Sequence, residues 1–150
     1  MKIKVTATFV GQDENGEYNE IKQIYLIPSP NFCDAEKAVI ALINDNEDPK
    51  KDTTIVTAMA RYNVDQVIYN SNNASEIFDD KEDLFFEIVL QLTDNNNNKP
   101  KKVKHKMLVE SKDMDTAKVE AILGNNISRS MFNDEKIISI KEVEIYKSLI

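Results

Sequence analysis

The residues with the clearest potential chemistry are the lysines between positions 99 and 106. Alternate residues of a β-strand point to the same face, so Lys102, Lys104 and Lys106 would form one ridge. Such a ridge could contact successive phosphates of a single-stranded nucleic acid. The alternative is that lysines on an exposed edge strand prevent edge-to-edge aggregation. The neighbouring lysines that would extend the ridge are Lys99, Lys101 and Lys112.

A histidine-based nucleophilic site has few residues to draw on. His105 is the only histidine and Cys33 the only cysteine, whereas such a site needs a base beside a nucleophile and usually a third, orienting group. On a strand, His105 would share a face with Val103 and Met107, which favours a packed histidine. Cys33 precedes an apolar helical stripe, which favours a buried thiol, and a buried free cysteine commonly behaves as a small hydrophobe. We expect no catalytic residue, with a Cys33–His105 dyad as the open alternative.

The acidic side chains cluster in two connecting segments. Neither segment has the glycine that an EF-hand loop requires, and metal-dependent hydrolysis needs carboxylates that converge from rigid strands. We expect solvated, charge-rich connections and no metal or cofactor, with a weak surface cation site as the alternative. The two groups are Asp45, Glu47, Asp48 and Asp52 in a loop, and Asp79, Asp80, Glu82 and Asp83 in a linker.

The few glycines and the single cysteine exclude further classes of protein. Gly11, Gly16 and Gly124 fit neither GxGxxG nor GxxxxGK[ST], so we expect no phosphate-binding loop. One cysteine permits neither an internal disulfide nor a cysteine-clustered zinc site within one chain, and this is typical of a reducing cytosol. No apolar stretch approaches the roughly 20 residues of a membrane span. We therefore expect a cytoplasmic protein with no membrane partner.

An internal repeat orders these features along the chain. At an offset of 82 residues, one set of apolar positions recurs, and at an offset of 81 a first strand matches as well. The pairs at the first offset are Leu26 and Leu108, Ile27 and Val109, Ala35 and Ala117, Ile40 and Ile122, and Ile55 and Ile137. The pairs at the second offset are Ile3 and Leu84, Val5 and Phe86, Ala7 and Ile88, and Phe9 and Leu90.

Each copy is predicted to fold as strand, strand, helix, strand. Asn15-Gly16 supplies a hairpin turn, prolines end the second strand, and Asn31 caps the first helix. The elements of the first copy are strands at 3–9, 21–27 and 53–62, a continuation at 64–69, a helix after Asn31, and a polar loop at 44–52. Those of the second copy are strands at 84–92, 103–109 and 136–146, and a helix from about Met114 to Leu123 between the cap Asp113 and Gly124-Asn125.

The predicted fold is therefore α+β, with two tandem strand-strand-helix-strand repeats that form antiparallel sheet and one helix packed on each copy. The first repeat is assigned to residues 1–70, an acidic polar linker to 71–83, and the second repeat to 84–150. Whether the copies merge into one domain with one sheet is open, because periodicity does not show which strand edges pair. A chain of 150 residues can bury a core without disulfides or metal.

Four short segments carry a resemblance to a known family. They are Tyr25-Leu26-Ile27, Thr54-Ile55-Val56-Thr57-Ala58, Lys106-Met107-Leu108-Val109 and Ile137-Ile138-Ser139-Ile140. On these segments the chain resembles, over almost its whole length, domain-of-unknown-function family 4494, a duplicated small protein of gut anaerobes and their phages. The resemblance implies a duplicated architecture and a phage or mobile-element origin, and it brings no catalytic residue.

The lysine ridge would belong to the second copy alone. Its equivalent positions in the first copy are Glu20, Lys22 and Ile24, of which only one is basic. A single-stranded nucleic acid would also need aromatic side chains on which its bases can stack. The candidates on the last strands of the copies are Tyr62, Tyr69 and Tyr146.

The charge of the chain determines which function we expect first. The net charge is −7, and an acidic protein is repelled at long range by nucleic acid but suits a basic patch on another protein. The leading hypothesis is a non-enzymatic interaction protein that binds a protein partner through an acidic surface. The runner-up is a single-stranded nucleic-acid-binding accessory protein of replication or recombination that uses the lysine ridge. A metal-dependent enzyme of phage DNA metabolism and self-association through sheet edges are further alternatives.

Overall fold

The computed structural model describes residues 1–70, 83–94, 99–127, 132 and 134–150. Within these residues the predicted α+β class is confirmed, since two helices accompany two four-stranded sheets. The elements of the first half are β1 (Lys2–Gln12), β2 (Tyr18–Pro28), α1 (Phe32–Asn46), β3 (Ile55–Arg61) and β4 (Gln66–Ile68). Those of the second half are β5 (Leu84–Asp94), β6 (Lys101–Ser111), α2 (Met114–Gly124), β7 (Asp134–Val143) and β8 (Lys147–Ser148). The strand orders are β3-β1-β2-β8 and β4-β6-β5-β7.

The first compact unit comprises Met1–Asn63 and Ile145–Ile150. β1 and β2 form a hairpin whose turn holds Gly16 at a φ of 78°, in the left-handed region that glycine adopts without strain. Asp13 stabilises this turn, because its Oδ1 accepts hydrogen bonds at 2.9 Å from the N–H groups of Asn15 and Glu17. The core between the sheet and α1 comprises Ile3, Val5, Ala7, Phe9, Tyr25, Ile27, Ala35, Val39 and Ile43.

The second compact unit comprises Val64–Glu144. Its helix α2 begins after Asp113, whose Oδ1 accepts a hydrogen bond from the N–H of Thr116 at 2.7 Å. Asn31 caps α1 in the same way through the N–H of Asp34, also at 2.7 Å. Both predicted caps are thereby confirmed. The core between the sheet and α2 comprises Phe86, Ile88, Leu90, Met107, Val109, Ala117 and Ala121.

The two units repeat each other down to an irregularity in their strand pairing. The register shifts between Thr6 and Ala7 where β1 pairs with β3, and between Val89 and Leu90 where β5 pairs with β7. In each unit the extra residue lies on the edge strand, as in a β-bulge. A shared local irregularity is stronger support for a duplication than the apolar pattern alone, because nothing in the alternation of strands requires it.

The offset of 81 for the first strands is wrong by two residues. Ile3 pairs with Ile27, and Phe86 pairs with Val109. Since Ile27 and Val109 are matched positions, Ile3 is equivalent to Phe86 and not to Leu84. The shift is even, so both alignments bury the same face of the strand.

The segment after the last strand of each repeat lies in the unit built mainly by the other repeat. β4 follows β3, yet it pairs in parallel with residues 107–109 of β6. β8 follows β7 and pairs in parallel with residues 25 and 26 of β2. Residues 64–70, which the sequence assigned to the first repeat, therefore belong to the second unit. Residues 145–150, assigned to the second repeat, belong to the first unit. Periodicity identifies a strand but does not show which sheet edge it joins.

The ends of α1 and of the last long strand are among those that differ from the sequence prediction. α1 continues to Asn46, whose Nδ2 donates to the Leu42 carbonyl at 2.9 Å, so the polar loop begins only at Glu47. The last long strand ends at Val143, and β8 follows separately. The predicted linker at 71–83, including the acidic candidates Asp79, Asp80 and Glu82, lies outside the described residues except for Asp83.

Candidate binding surfaces

The predicted lysine ridge lies on β6. Lys102 and Lys104 are exposed and Lys106 is half-buried. They share the face of the sheet opposite α2, because the alternating residues His105 and Met107 are buried on the α2 side. Lys99 and Lys101 are exposed directly before this stretch.

The ridge borders a free stretch of sheet edge. Within the described part of the chain, β4 pairs only with residues 107–109 of β6, so the preceding residues of β6 pair with β5 alone. Asp65 ends this free stretch, because its N–H donates to the Lys106 carbonyl at 2.8 Å and its Oδ2 accepts from the Lys106 N–H at 2.8 Å. The exposed backbone of β6 thus runs alongside its exposed lysines.

Two further lysines, Lys136 and Lys141, join this face from β7. Lys136 lies opposite Gln91 and Lys141 lies opposite Glu87, and directly paired residues of antiparallel strands point to the same side. Oε2 of Glu87 is 3.4 Å from Nζ of Lys141 and 3.8 Å from Nζ of Lys106, so it neutralises part of the positive charge. The sequence does not indicate that these two lysines belong to the face, because the alternation of β7 does not show that its neighbour is β5.

His105 packs inside the second unit, as predicted, with 6% of its surface exposed. Its Nε2 lies 3.0 Å from Oε1 of Gln66, and because an amide oxygen can only accept, Nε2 carries the proton in this arrangement. Its Nδ1 is 3.8 Å from Oδ2 of Asp65. Burial lowers the pKa of His105, and the Asp65 carboxylate opposes part of that shift. The site therefore favours the neutral imidazole.

Cys33 is exposed, so the expectation of a buried thiol is wrong. It is the second residue of α1, whose buried stripe is formed by Ala35, Val39 and Ile43. Two residues along an α-helix correspond to a rotation of about 200°, which turns Cys33 away from that stripe. The hydrogen-bond partner of His105 is Gln66 and not this thiol.

The predicted acidic loop divides between α1 and the segment that follows it. Asp45 lies on α1, and Glu47 caps the helix with its N–H donating to the Ile43 carbonyl at 2.9 Å. Asp48 and Asp52 follow in the loop, with Asp52 at a φ of 61°. Among the residues that the structure describes, no three His, Cys, Asp or Glu side chains are grouped so that they could hold a metal ion.

A cleft of about 410 Å³ opens in the first unit between the β1–β2 hairpin and the loop after α1. Its apolar lining comes from Phe9, Gly11 and Ile21 of the hairpin. A Cβ on Gly11 would lie 2.9 Å from Cδ1 of Ile21, so glycine lets the Ile21 side chain fold closely over the strand. The other residues that line the cleft are Gln12, Tyr18, Asn46, Glu47, Asp48, Pro49 and Lys50.

Hydrogen bonds fix the loop that borders the cleft to β1. The N–H of Lys50 donates to the Val10 carbonyl at 2.8 Å. The hydroxyl of Thr53 accepts from the Val10 N–H at 3.1 Å and donates to the Lys50 carbonyl at 2.6 Å. Because these contacts involve the backbone of Lys50, the loop is held in place independently of the Lys50 side chain.

The side chain of Glu47 is held by the segment that contains β8. The hydroxyl of Tyr146 donates to Oε1 of Glu47, and its ring packs edge-on against Tyr25 with the centroids 5.5 Å apart. The hydroxyl of Tyr25 donates to Oε1 of Gln23 at 2.7 Å. Burial, together with the nearby Tyr146 and Glu47, raises the pKa of Tyr25 to about 12, so this hydroxyl stays protonated and acts as a donor.

A cation already lies within the cleft. Nζ of Lys50 is 5.0 Å from the centroid of the Tyr18 ring, inside the range of a cation–π contact. The Tyr18 side chain is 58% exposed, so this contact is open to solvent. The sequence does not indicate the cleft, because Tyr18 and Lys50 are far apart in the chain and neither residue alone indicates a site.

The sequence matches a known protein family over nearly its whole length. A family described as a domain of unknown function (DUF4494) matches residues 2–148. The chain belongs to this family. No curated protein matches the sequence. In this DUF4494 chain, neither α1 nor α2, the helices of the described residues, is long and apolar enough to cross a membrane.

The tyrosines predicted as stacking platforms lie in different parts of the DUF4494 chain. Tyr62 is buried in the first unit, where its N–H donates to the Lys2 carbonyl at 2.8 Å. Tyr146 packs against Tyr25 in the same unit. Tyr69, directly after β4, is 42% exposed and belongs to the unit with the lysine ridge. Only this one of the three can extend the ridge within its own unit.

Proposed function

We propose that the chain is a non-enzymatic interaction protein whose first unit binds a basic segment of a partner protein. The observation that carries this proposal is the cleft, because it combines an apolar lining from Phe9 and Ile21 with the carboxylates of Glu47 and Asp48. Buried apolar contacts supply affinity in protein interfaces, and charge complementarity supplies orientation and a faster encounter.

The hairpin loop beside the cleft adds to its negative charge. The hairpin loop after Gln12 contains three acidic residues and no basic one between positions 13 and 17. In the loop after α1, Asp52 adds a further carboxylate, and Lys50 and Lys51 offset part of the negative charge. Lysine and arginine side chains on a partner can lay their apolar stems along the lining while their charged groups reach these carboxylates. An acidic surface of this kind therefore fits a basic partner segment.

Binding of a labelled oligoarginine peptide, followed by fluorescence anisotropy, tests this proposal. We expect saturable binding that weakens as salt rises. Asp48→Asn removes a carboxylate from the cleft and should weaken binding about threefold, the scale of one exposed ion pair. Asp45→Asn is the matched control, because Asp45 is an exposed residue of α1 that does not line the cleft.

Two outcomes would contradict the proposal. The first is no binding at low salt. The second is an equal loss of affinity in both variants, which would mean that the peptide responds to net charge and not to the cleft. A peptide with citrulline in place of arginine keeps the shape and removes the charge, and it should bind much more weakly.

A phage or mobile-element origin and a cytoplasmic location are also part of the proposal. The origin rests on the family resemblance, and the location rests on the single cysteine. The genes that neighbour the coding sequence test the first, and fractionation of producing cells tests the second.

A second candidate function is the binding of single-stranded nucleic acid by the second unit. The observation that favours it is the lysine face opposite α2, where Lys136 and Lys141 of β7 add to the ridge on β6. Successive lysines spaced along strands can follow a phosphate backbone, and the exposed Tyr69 offers one ring for stacking. The acidic surroundings oppose this function at long range.

A salt titration with a labelled single-stranded oligonucleotide tests the second function. Replacing Lys102, Lys104 and Lys106 with Ala should weaken binding, and each lost phosphate contact should reduce the slope of log affinity against log salt by about 0.7. Lys22→Ala is the control, because Lys22 is the position of the first unit equivalent to Lys104. Unchanged binding in the triple variant would remove this candidate.

Self-association through sheet edges is a third proposal. The first residues of β2, before Ile24, pair with β1 alone within the described residues, as the first residues of β6 pair with β5 alone. If the chain pairs through these edges, the mass of the wild type in solution should rise with its concentration, whereas if the lysines of β6 only protect the edge, only the triple Ala variant should self-associate. Light scattering on both proteins measures the difference.

A further inference from the structure

The side chain of Lys50 occupies the place in the cleft that a cation of a bound partner would take. Its Nζ lies over the Tyr18 ring, at 5.0 Å from the centroid. Lys50 and Tyr18 both line the cleft, together with the carboxylate residues Glu47 and Asp48. An aromatic face with carboxylates nearby is a typical recognition site for an ammonium or guanidinium group.

The backbone of Lys50 does not depend on this contact. Its N–H is bound to the Val10 carbonyl, and its carbonyl accepts from both the N–H and the hydroxyl of Thr53. Both Lys50 and Tyr18 are exposed to solvent. The ammonium can therefore leave the ring by rotation of the side chain alone, and the loop keeps its position.

We infer that Lys50 is an internal occupant of a cation site, and that an arginine or lysine of the partner segment displaces it from Tyr18. This inference rests on the proposed function of the first unit, and it identifies the recognised group. Two cations cannot share one ring face, because they would occupy the same place and repel each other. Lys50 thus lowers the affinity of the cleft for weakly basic ligands. Only ligands that make further contacts with the cleft then bind tightly.

Removal of the internal cation should strengthen binding. In Lys50→Met, the flexible apolar stem is retained and the charge is lost, and we expect the oligoarginine peptide to bind about threefold more tightly, the scale of one exposed cation–π contact. Anisotropy titrations at several salt concentrations measure this change. Lys51→Met is the matched control, because Lys51 is the exposed neighbour, does not line the cleft and gives the same change in net charge.

A substitution of the ring completes the experiment. Tyr18→Leu keeps an apolar side chain and removes the π face, so it should weaken peptide binding, and in this background Lys50→Met should bind no more tightly than Lys51→Met. Circular dichroism of each variant checks that the fold is retained.

The outcomes separate the inference from the proposed function. Equal affinities of Lys50→Met and Lys51→Met, or weaker binding by Lys50→Met, would overturn the role of Lys50 while leaving the cleft as a peptide site. No binding by the wild type or by Lys50→Met at low salt would overturn both. Tighter binding by Lys50→Met alone, abolished by Tyr18→Leu, is the result expected.

Discussion

The two units differ most where a short parallel strand joins each sheet. Before β8, the N–H of Tyr146 donates to the Ile24 carbonyl at 2.8 Å, and before β4, the N–H of Asp65 donates to the Lys106 carbonyl at 2.8 Å. The backbone contact is the same in both units, whereas the side chains are an aromatic hydroxyl and a carboxylate. Both units therefore keep the same backbone hydrogen bond, but they differ in the side chain of the residue that makes it.

The side chains next to these two attachment points also differ between the units. Tyr146 packs on Tyr25, whose hydroxyl is bound to Gln23. At the positions equivalent to Tyr25 and Gln23, the second unit has Met107 and His105, and the imidazole faces Asp65 and Gln66. The first unit thus has the Tyr25 hydroxyl, which stays protonated, and the second has an imidazole beside a carboxylate. Substitutions at such positions therefore test how the properties of the two units differ.

The cores of the units differ in a complementary way. Ala7 on β1 and Val39 on α1 belong to one core, and the equivalent Leu90 on β5 and Ala121 on α2 belong to the other. All four side chains are fully buried. A small strand residue accompanies a larger helix residue in the first unit, and the sizes are reversed in the second. Close packing explains the exchange, because interiors tolerate substitutions that conserve volume.

The largest effect is expected from Leu90→Ala. This variant gives the second unit a small strand residue, as Ala7 is in the first unit, but its helix residue Ala121 stays smaller than Val39. A cavity should remain, and the free energy of unfolding should fall by about 3 kcal/mol. Urea unfolding followed by circular dichroism measures the loss.

A second substitution tests whether the two cores share one packing scheme. Ala121→Val in the Leu90→Ala background restores the size pattern of the first unit and should recover part of the lost stability. Ala121→Val alone should destabilise the protein, because it overpacks an intact core. If the double variant is no more stable than Leu90→Ala, the two cores do not share one packing scheme.

The sequence predicts the helices and strands that form these cores, but it does not predict which sheet edges β4 and β8 join. The apolar alternation of Ile3 to Phe9 and the cap residues Asn31 and Asp113 each depend on local physical rules, and the structure agrees with them. The attachment of β4 and β8 depends on contacts between distant segments, which periodicity does not encode. The cleft was missed for the same reason, since Tyr18 and Lys50 meet only in the folded unit.

A smaller effect is expected at Glu120, which stands on α2 where the first unit has the half-buried Ala38. Burial, followed by the carboxylates of Asp83, Asp113 and Glu110, raises the pKa of Glu120. Its Oε2 is buried, and none of the residues that the structure describes forms a hydrogen bond with it. A raised folded pKa means that the protonated form favours the fold, and this stability is lost as pH rises through that pKa.

Glu120→Gln should therefore raise the free energy of unfolding near neutral pH by about 1 kcal/mol, because the amide removes a partly buried negative charge that the nearby carboxylates repel. The gain should disappear as the pH falls below the ordinary glutamate pKa of about 4.3. Urea unfolding at both pH values measures it. Glu142→Gln is the control, because Glu142 is exposed on β7. A gain that is independent of pH, or equal in the control, would contradict the assignment.

The smallest effect is expected from His105→Gln, which gives the second unit the residue that the first has at Gln23. Burial lowers the pKa of His105 more than Asp65 raises it, so the unfolded chain binds the proton more readily than the folded one. The wild type should lose stability as pH falls through the ordinary histidine pKa of about 6.5. The variant should lack this part of the pH dependence.

Unfolding midpoints in urea between about pH 5 and 8 give the measurement, since histidine is the side chain that titrates in this range. Asp65→Asn is the informative companion, because an amide oxygen can still accept from the Lys106 N–H, while the charge 3.8 Å from Nδ1 is gone. It should increase the loss of stability on the acid side. Identical pH profiles in the wild type and in His105→Gln would mean that the imidazole is protonated equally in both states. The difference between the units at this position would then concern shape alone and not charge.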